Sequence, residues 1–193
     1  MLVWVVLAAL IGLIAVVEYR DRLHASSGTA GDADTRRLLP VSVDQVGAIE
    51  VADAGRLHRF ERDASGVWFY HGVHTGAESS HTHTADPALA ERIERTMAAF
   101  GRTRVEREFP IGRAGADYGV ATPDVVVLVY RPSQSQPLVQ YAIGHVAPDT
   151  VSRYVLVVGR PVVATIPGYQ VDNLLVLVRS VGDTADGEQT SRR

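Results

Sequence analysis

The sequence predicts an α+β fold: mainly antiparallel sheet with one clear amphipathic helix and a short C-terminal helix, preceded by one N-terminal transmembrane helix. Three observations carry this. Leu2 to Val17 is an unbroken apolar run, a series of short apolar segments is punctuated by Gly, Asp and Pro turns, and a single stretch after Asp86 repeats at helical spacing.

The apolar run comes first. At about 1.5 Å per residue, Met1 to Tyr19 would span roughly 28 Å, close to the roughly 30 Å hydrocarbon core of a bilayer. Trp4 and Tyr19 fall near its two ends, where amphipathic rings sit at headgroup level, and Ala8, Ala9 and Gly12 offer a small-residue face to neighbouring helices. The run has no basic n-region and ends in Glu18-Tyr19-Arg20-Asp21-Arg22, so residues 1–22 read as an uncleaved anchor with residues 1–19 in the bilayer. A removed signal peptide, with His24-Ala25-Ser26 as its cleavage cue, is the alternative. Arg20 and Arg22 favour an inside location for the downstream domain, whereas a long C-terminal domain translocates largely regardless of charge; charge leaves the orientation open.

Residues 23–37 are rich in Ser, Gly, Ala and Asp and read as a flexible tether, residues 38–179 as the folded domain, and residues 180–193 as a disordered tail. Within the domain, Val46 to Val51, Arg56 to Glu61 and Val67 to Tyr70 predict strands joined by turns at Asp53-Ala54-Gly55 and Asp63-Ala64-Ser65-Gly66. Asp86 is a helix N-cap, Pro87 suits the first helical position, and Leu89, Ile93, Met97 and Phe100 form one face until Gly101. Strands are then expected at Arg102 to Glu108, Val125 to Tyr130, Leu138 to Ile143, Tyr154 to Val158 and Val162 to Ile166. Pro167 to Leu177 predicts the short closing helix, with Val171, Leu174 and Leu175 inward.

Composition narrows the function. All 19 basic residues are arginine, and the net charge of -3 with a pI near 6.1 gives no basic field for nucleic acid. With no cysteine there is no disulfide, thiolate nucleophile or cysteine metal site. The chain lacks a Gly-x-Ser-x-Gly elbow, a phosphate-binding glycine loop and a His-Glu-x-x-His helix, and Asp117, Asp124, Asp149 and Asp172 sit beside turns, which accounts for them. These features predict a protein that is not an enzyme.

An ordered set of motifs resembles a known family. Leu38-Leu39-Pro40-Val41 leads to Val46 and Ile49, then come Gly66-x-Trp68, Ala85-Asp86 at the helix start, Asp117-Tyr118-Gly119-Val120 with Pro123, Ile143-Gly144, and Arg153-Tyr154-Val155 before Gly159. This order is similar to the domain-of-unknown-function family numbered 4340, over roughly Leu38 to Leu177. The resemblance implies a bacterial, membrane-tethered domain on the periplasmic or exterior side, often found beside gliding-type ABC transporter components, with no established enzyme activity. It also favours an N-inside orientation.

The chain departs from that pattern between the Trp strand and the helix, where His71, His74, His81 and His83 crowd one loop with Glu78. Imidazoles are ligands for zinc and copper, and Gly72 and Gly76 would let His71 and His74 fold toward His81 and His83. The spacing matches no recognised metal motif, and long polar connections carry partner contacts as well. His58 is expected on the exposed face of its strand, and His145 at a turn.

Two functions are expected on these grounds. The first is a non-enzymatic accessory or assembly subunit of a bacterial membrane complex, single-pass in the inner membrane with a periplasmic domain. Its partner contacts would be other subunits, through Trp4, Tyr19, His71, His74, Glu78, His81 and His83. The alternative is a periplasmic metal-binding or metal-delivery protein holding copper or zinc on His71, His74, His81 and His83.

Overall fold

The computed structural model describes residues 36–73, 86–112 and 117–190. The anchor predicted over 1–22 and nearly all of the predicted tether lie outside them. Among the described residues no helix is long and apolar enough to cross a membrane.

The apolar alternation resolves into eight strands: β1 (Ala48–Asp53), β2 (Arg56–Arg62), β3 (Trp68–Val73), β4 (Arg107–Pro110), β5 (Val125–Tyr130), β6 (Val139–Val146), β7 (Ser152–Val157) and β8 (Val162–Pro167). They form one sheet in the order β3-β2-β1-β5-β6-β7-β8-β4, every pairing antiparallel. Two helices complete the α+β fold, α1 (Pro87–Gly101) and α2 (Gly168–Thr190). Helix α1 begins where the sequence places it: the Asp86 carboxylate accepts the backbone N–H groups of Ala88 and Leu89, both at 3.0 Å, satisfying two donors that a helix start leaves open.

Both helices lie on one face of the sheet. Ile93, Met97 and Phe100 of α1 and Val171, Leu174, Leu177 and Val178 of α2 close over Ile49, Val51, Phe60, Trp68, Val127, Tyr141 and Ile166, all buried. The period of two decides which strand residues join this core, because neighbours in sequence point to opposite faces. Leu38 and Leu39 cap it from the entry segment, and the buried Tyr141 hydroxyl donates to the Leu38 carbonyl at 2.7 Å. Burial holds that phenol's pKa well above its ordinary value.

Three expectations are corrected. The strand expected at Arg102 to Glu108 starts only at Arg107. Before it, the Thr103 carbonyl accepts the Leu38 N–H and the Val105 N–H donates to the Arg36 carbonyl, and Arg37 and Arg104 form an isolated bridge, so Arg36 and Arg37, the last two residues of the stretch read as a tether, pair with this segment. The C-terminal helix is not short: it runs to Thr190 and takes in most of the stretch read as a tail, since Val178 and Val181 extend the buried spacing of Val171, Leu174 and Leu175. His58 is 3% exposed, not solvent-facing, because it pairs with Val51 and so points to the helix side; its Nδ1 lies 2.9 Å from the Tyr70 hydroxyl.

The sheet's other face is only partly covered. Strand β4 sits at one edge and β5 in the middle, so the connection between them must recross the sheet. It does so on the face opposite the helices. The Tyr118 ring packs tilted against Tyr154 of β7 at 4.8 Å between centroids and lies 5.4 Å from Phe109 of β4, and the Tyr118 carbonyl accepts the His145 N–H at 2.9 Å. Gly119 takes a φ of +74° here, a left-handed turn that glycine adopts without strain, and Gly144 is small enough to let the Tyr118 carbonyl and Val120 seat on β6.

Candidate interaction surface

With the crossover lying over β6, β7 and β8, the part of this face left uncovered among the described residues is formed by β3, β2, β1 and β5. Register places Ala48, Glu50 and Ala52 of β1 there, with Arg59 and Glu61 of β2 and Leu128 and Tyr130 of β5 beside them. A register shift between Arg59 and Phe60, with Gly72 at a φ of +112°, turns His71 of β3 toward the same face.

These polar side chains form one chain of contacts. The Arg59 guanidinium donates through Nε to Glu61 Oε2 and through a terminal nitrogen to Glu50 Oε1, each at 2.9 Å. The Tyr130 hydroxyl donates to the other Glu50 oxygen at 2.6 Å. Arg59 also stacks over the Tyr130 ring at 5.1 Å, and His71 Nδ1 lies 3.6 Å from Glu61 Oε2. Glu50 is 7% exposed, a buried carboxylate that is tolerated because both of its oxygens are bonded.

The electrostatics result from this packing. Burial pulls the Arg59 pKa down, but hydrogen bonds from its guanidinium to Glu61 and Glu50 outweigh that and hold it above the ordinary arginine value. The Tyr130 phenol is pushed up to about 12, first by burial and then by its bond to the Glu50 carboxylate. Neither group exchanges a proton near neutrality. Around it stand half-buried apolar side chains: Leu57, Phe69, Val126 and Leu128.

The predicted site residues are divided by this geometry. His71 is on the face just described. His74, Glu78, His81 and His83 lie outside the described residues, as do Trp4 and Tyr19. Among the described residues no three His, Cys, Asp or Glu side chains converge in a way that could hold a metal ion. On the helix side, a groove of about 390 Å³ sets Arg37, Arg62 and Arg102 against Asp44 and Glu94. Arg62 is engaged there by Glu94 at 3.2 Å and by the Trp68 ring at 4.6 Å.

Sequence reasoning passes over Glu50, Arg59 and Tyr130. Glu50 and Tyr130 are eighty residues apart, and only strand register joins them.

Tyr118, Val120, Gly144 and Tyr154 contribute the contacts that seat the crossover on the sheet. These features define the molecule as an antiparallel sheet domain with helices on one face and a half-covered second face. No protein-family model, no characterised protein and no solved structure matches the chain.

Proposed function

We propose that the protein is a non-enzymatic accessory or assembly subunit of a bacterial membrane complex. Residues 1–22 anchor it in the inner membrane, the domain faces the periplasm, and a partner subunit seats on the uncovered part of the sheet. One observation carries the reading: half-buried Leu57, Phe69, Val126 and Leu128 surround a polar cluster whose members bond to one another. An apolar surface with a few fixed polar groups fits recognition of another protein better than proton transfer or nucleophilic attack.

The test is purification of the full chain from its native membranes in mild detergent, with mass spectrometry of bound partners and elemental analysis of the same sample. Stoichiometric membrane partners that are lost from a Leu128→Arg variant are expected. Monomer under every solubilisation condition would refute the proposal, and so would copper or zinc bound without partners, which is the outcome the histidine-loop alternative requires.

A further inference from the structure

We infer that the partner segment seated on this face presents a cationic side chain, a guanidinium or an ammonium, to Glu61. The inference rests on the docking face proposed above and adds the chemistry of its occupant.

It begins with a charge count. The cluster holds two carboxylates, Glu50 and Glu61, and one guanidinium, Arg59, with the His71 ring 3.6 Å from Glu61 Oε2. Carboxylates therefore outnumber guanidinium groups by one. Glu50 is not the carboxylate available to a partner, since Arg59 takes one of its oxygens, Tyr130 takes the other, and the residue is 7% exposed. Glu61 differs. Its Oε2 accepts from Arg59 and faces His71, its Oε1 has no bonded donor among the described residues, and its side chain is 32% exposed.

The surroundings make this charge selective. Phe69 lies directly across the β2–β3 ladder from Glu61, and Leu128 lies across the β1–β5 ladder from Glu50. A partner that buries these apolar side chains also takes the Glu61 carboxylate out of water. A carboxylate removed from water with half of its hydrogen-bonding capacity unused is costly unless a positive charge arrives with the covering surface. A neutral partner leaves that cost in place, and an acidic one adds repulsion to it. A cation flanked by apolar residues removes it and gains a charge-assisted hydrogen bond.

The probes are fluorescein-labelled peptides of sequence GSVLRVLSG and its counterparts with Gln or Glu in place of Arg. They are titrated with the full chain in detergent micelles at pH 8 and read by fluorescence anisotropy. The Arg peptide is expected to bind roughly tenfold more tightly than the Glu peptide, the scale of one hydrogen bond to a charged group. That advantage should shrink between low and high salt in the unmodified protein and vanish in Glu61→Gln. Equal affinities for the three peptides, or an Arg preference undiminished by Glu61→Gln, overturn the inference. If Leu128→Arg weakens all three peptides equally and the unmodified protein shows no charge preference, the docking face stands and the cation falls. If Leu128→Arg alters neither peptide binding nor recovery of membrane partners, the docking face itself is refuted.

Discussion

Replacing Arg59 by Met tests the polar cluster directly, because it keeps most of the side-chain volume and removes the charge that joins two carboxylates. Glu50 then retains only the Tyr130 hydroxyl, and Glu61 loses its 2.9 Å partner. The two losses are unequal. The Arg59 and Glu50 side chains are 18% and 10% exposed, which places their pair among buried ones, where removing one partner costs about 3–5 kcal/mol. The Arg59–Glu61 pair, with Glu61 at 32%, is closer to a surface pair contributing at most about 1 kcal/mol. Partial solvent access to the guanidinium moderates the first figure, so a net loss of about 2–4 kcal/mol is expected. Urea unfolding of the full chain in detergent micelles, followed by circular dichroism, measures it. The double variant Arg59→Met with Glu50→Gln should recover part of the loss, since the penalty comes from a buried charge without its partner. An Arg59→Met stability within about 0.5 kcal/mol of the original would refute the reasoning, as it would place the variant among ordinary surface substitutions.

Two further predictions concern the crossover and the buried histidine. Gly144→Ala would drive a methyl group into the Tyr118 carbonyl oxygen and to 2.9 Å from Val120, so the crossover must lift and weaken the His145–Tyr118 bond; a loss of about 1–3 kcal/mol is expected in urea unfolding, and an unchanged midpoint would show that the crossover is not seated there. The His58 pKa is held below 6.5, by burial first and then by Arg56, with Asp53 opposing. The unfolded chain therefore binds a proton more readily than the folded one. Its stability contribution is complete above about pH 6.5 and declines as pH falls toward the depressed folded value. His58→Gln should flatten the difference in unfolding midpoint between pH 8 and pH 5.5, and an identical pH slope in the variant would assign the effect to other groups.

How much of this could be read from the chain depends on how local each cause is. The start of α1 was legible because Asp86 and Pro87 do their work within three residues. The strands were legible because alternation and turns are local. Arg102 to Val105 also alternate, yet they bond to the entry segment and not to a full strand, a choice that belongs to residues 36–38. The end of α2 was obscured by Ser180 and Gly182, although Val178 and Val181 carry the apolar spacing on. The face of His58 had a readable sign: it shares parity with Phe60, whose burial was the better guide. The cluster of Glu50, Arg59 and Tyr130 had none, because a one-residue slip of β1 against β5 would turn Glu50 into the core and dissolve it.

The position of β4 bears on how the chain reaches this structure. Among the described residues its only strand neighbour is β8, so residues 107–110 have nothing to pair with until residues 162–165 have been synthesised. The hairpins β1–β2 and β2–β3 need no such wait, and neither do the successive pairs from β5 to β8. During translation the N-terminal hairpins and α1 thus precede the strands that pair beside them: the β1–β5 pairing spans the greatest sequence separation, and the β4 edge closes only once β8 has been made. Pairings of that sequence separation are slow to form. A newly made chain would hold its apolar strands open for the time it takes to make about fifty-five residues, at roughly 5–20 residues per second, an interval of some seconds in which it depends on remaining apart from its neighbours.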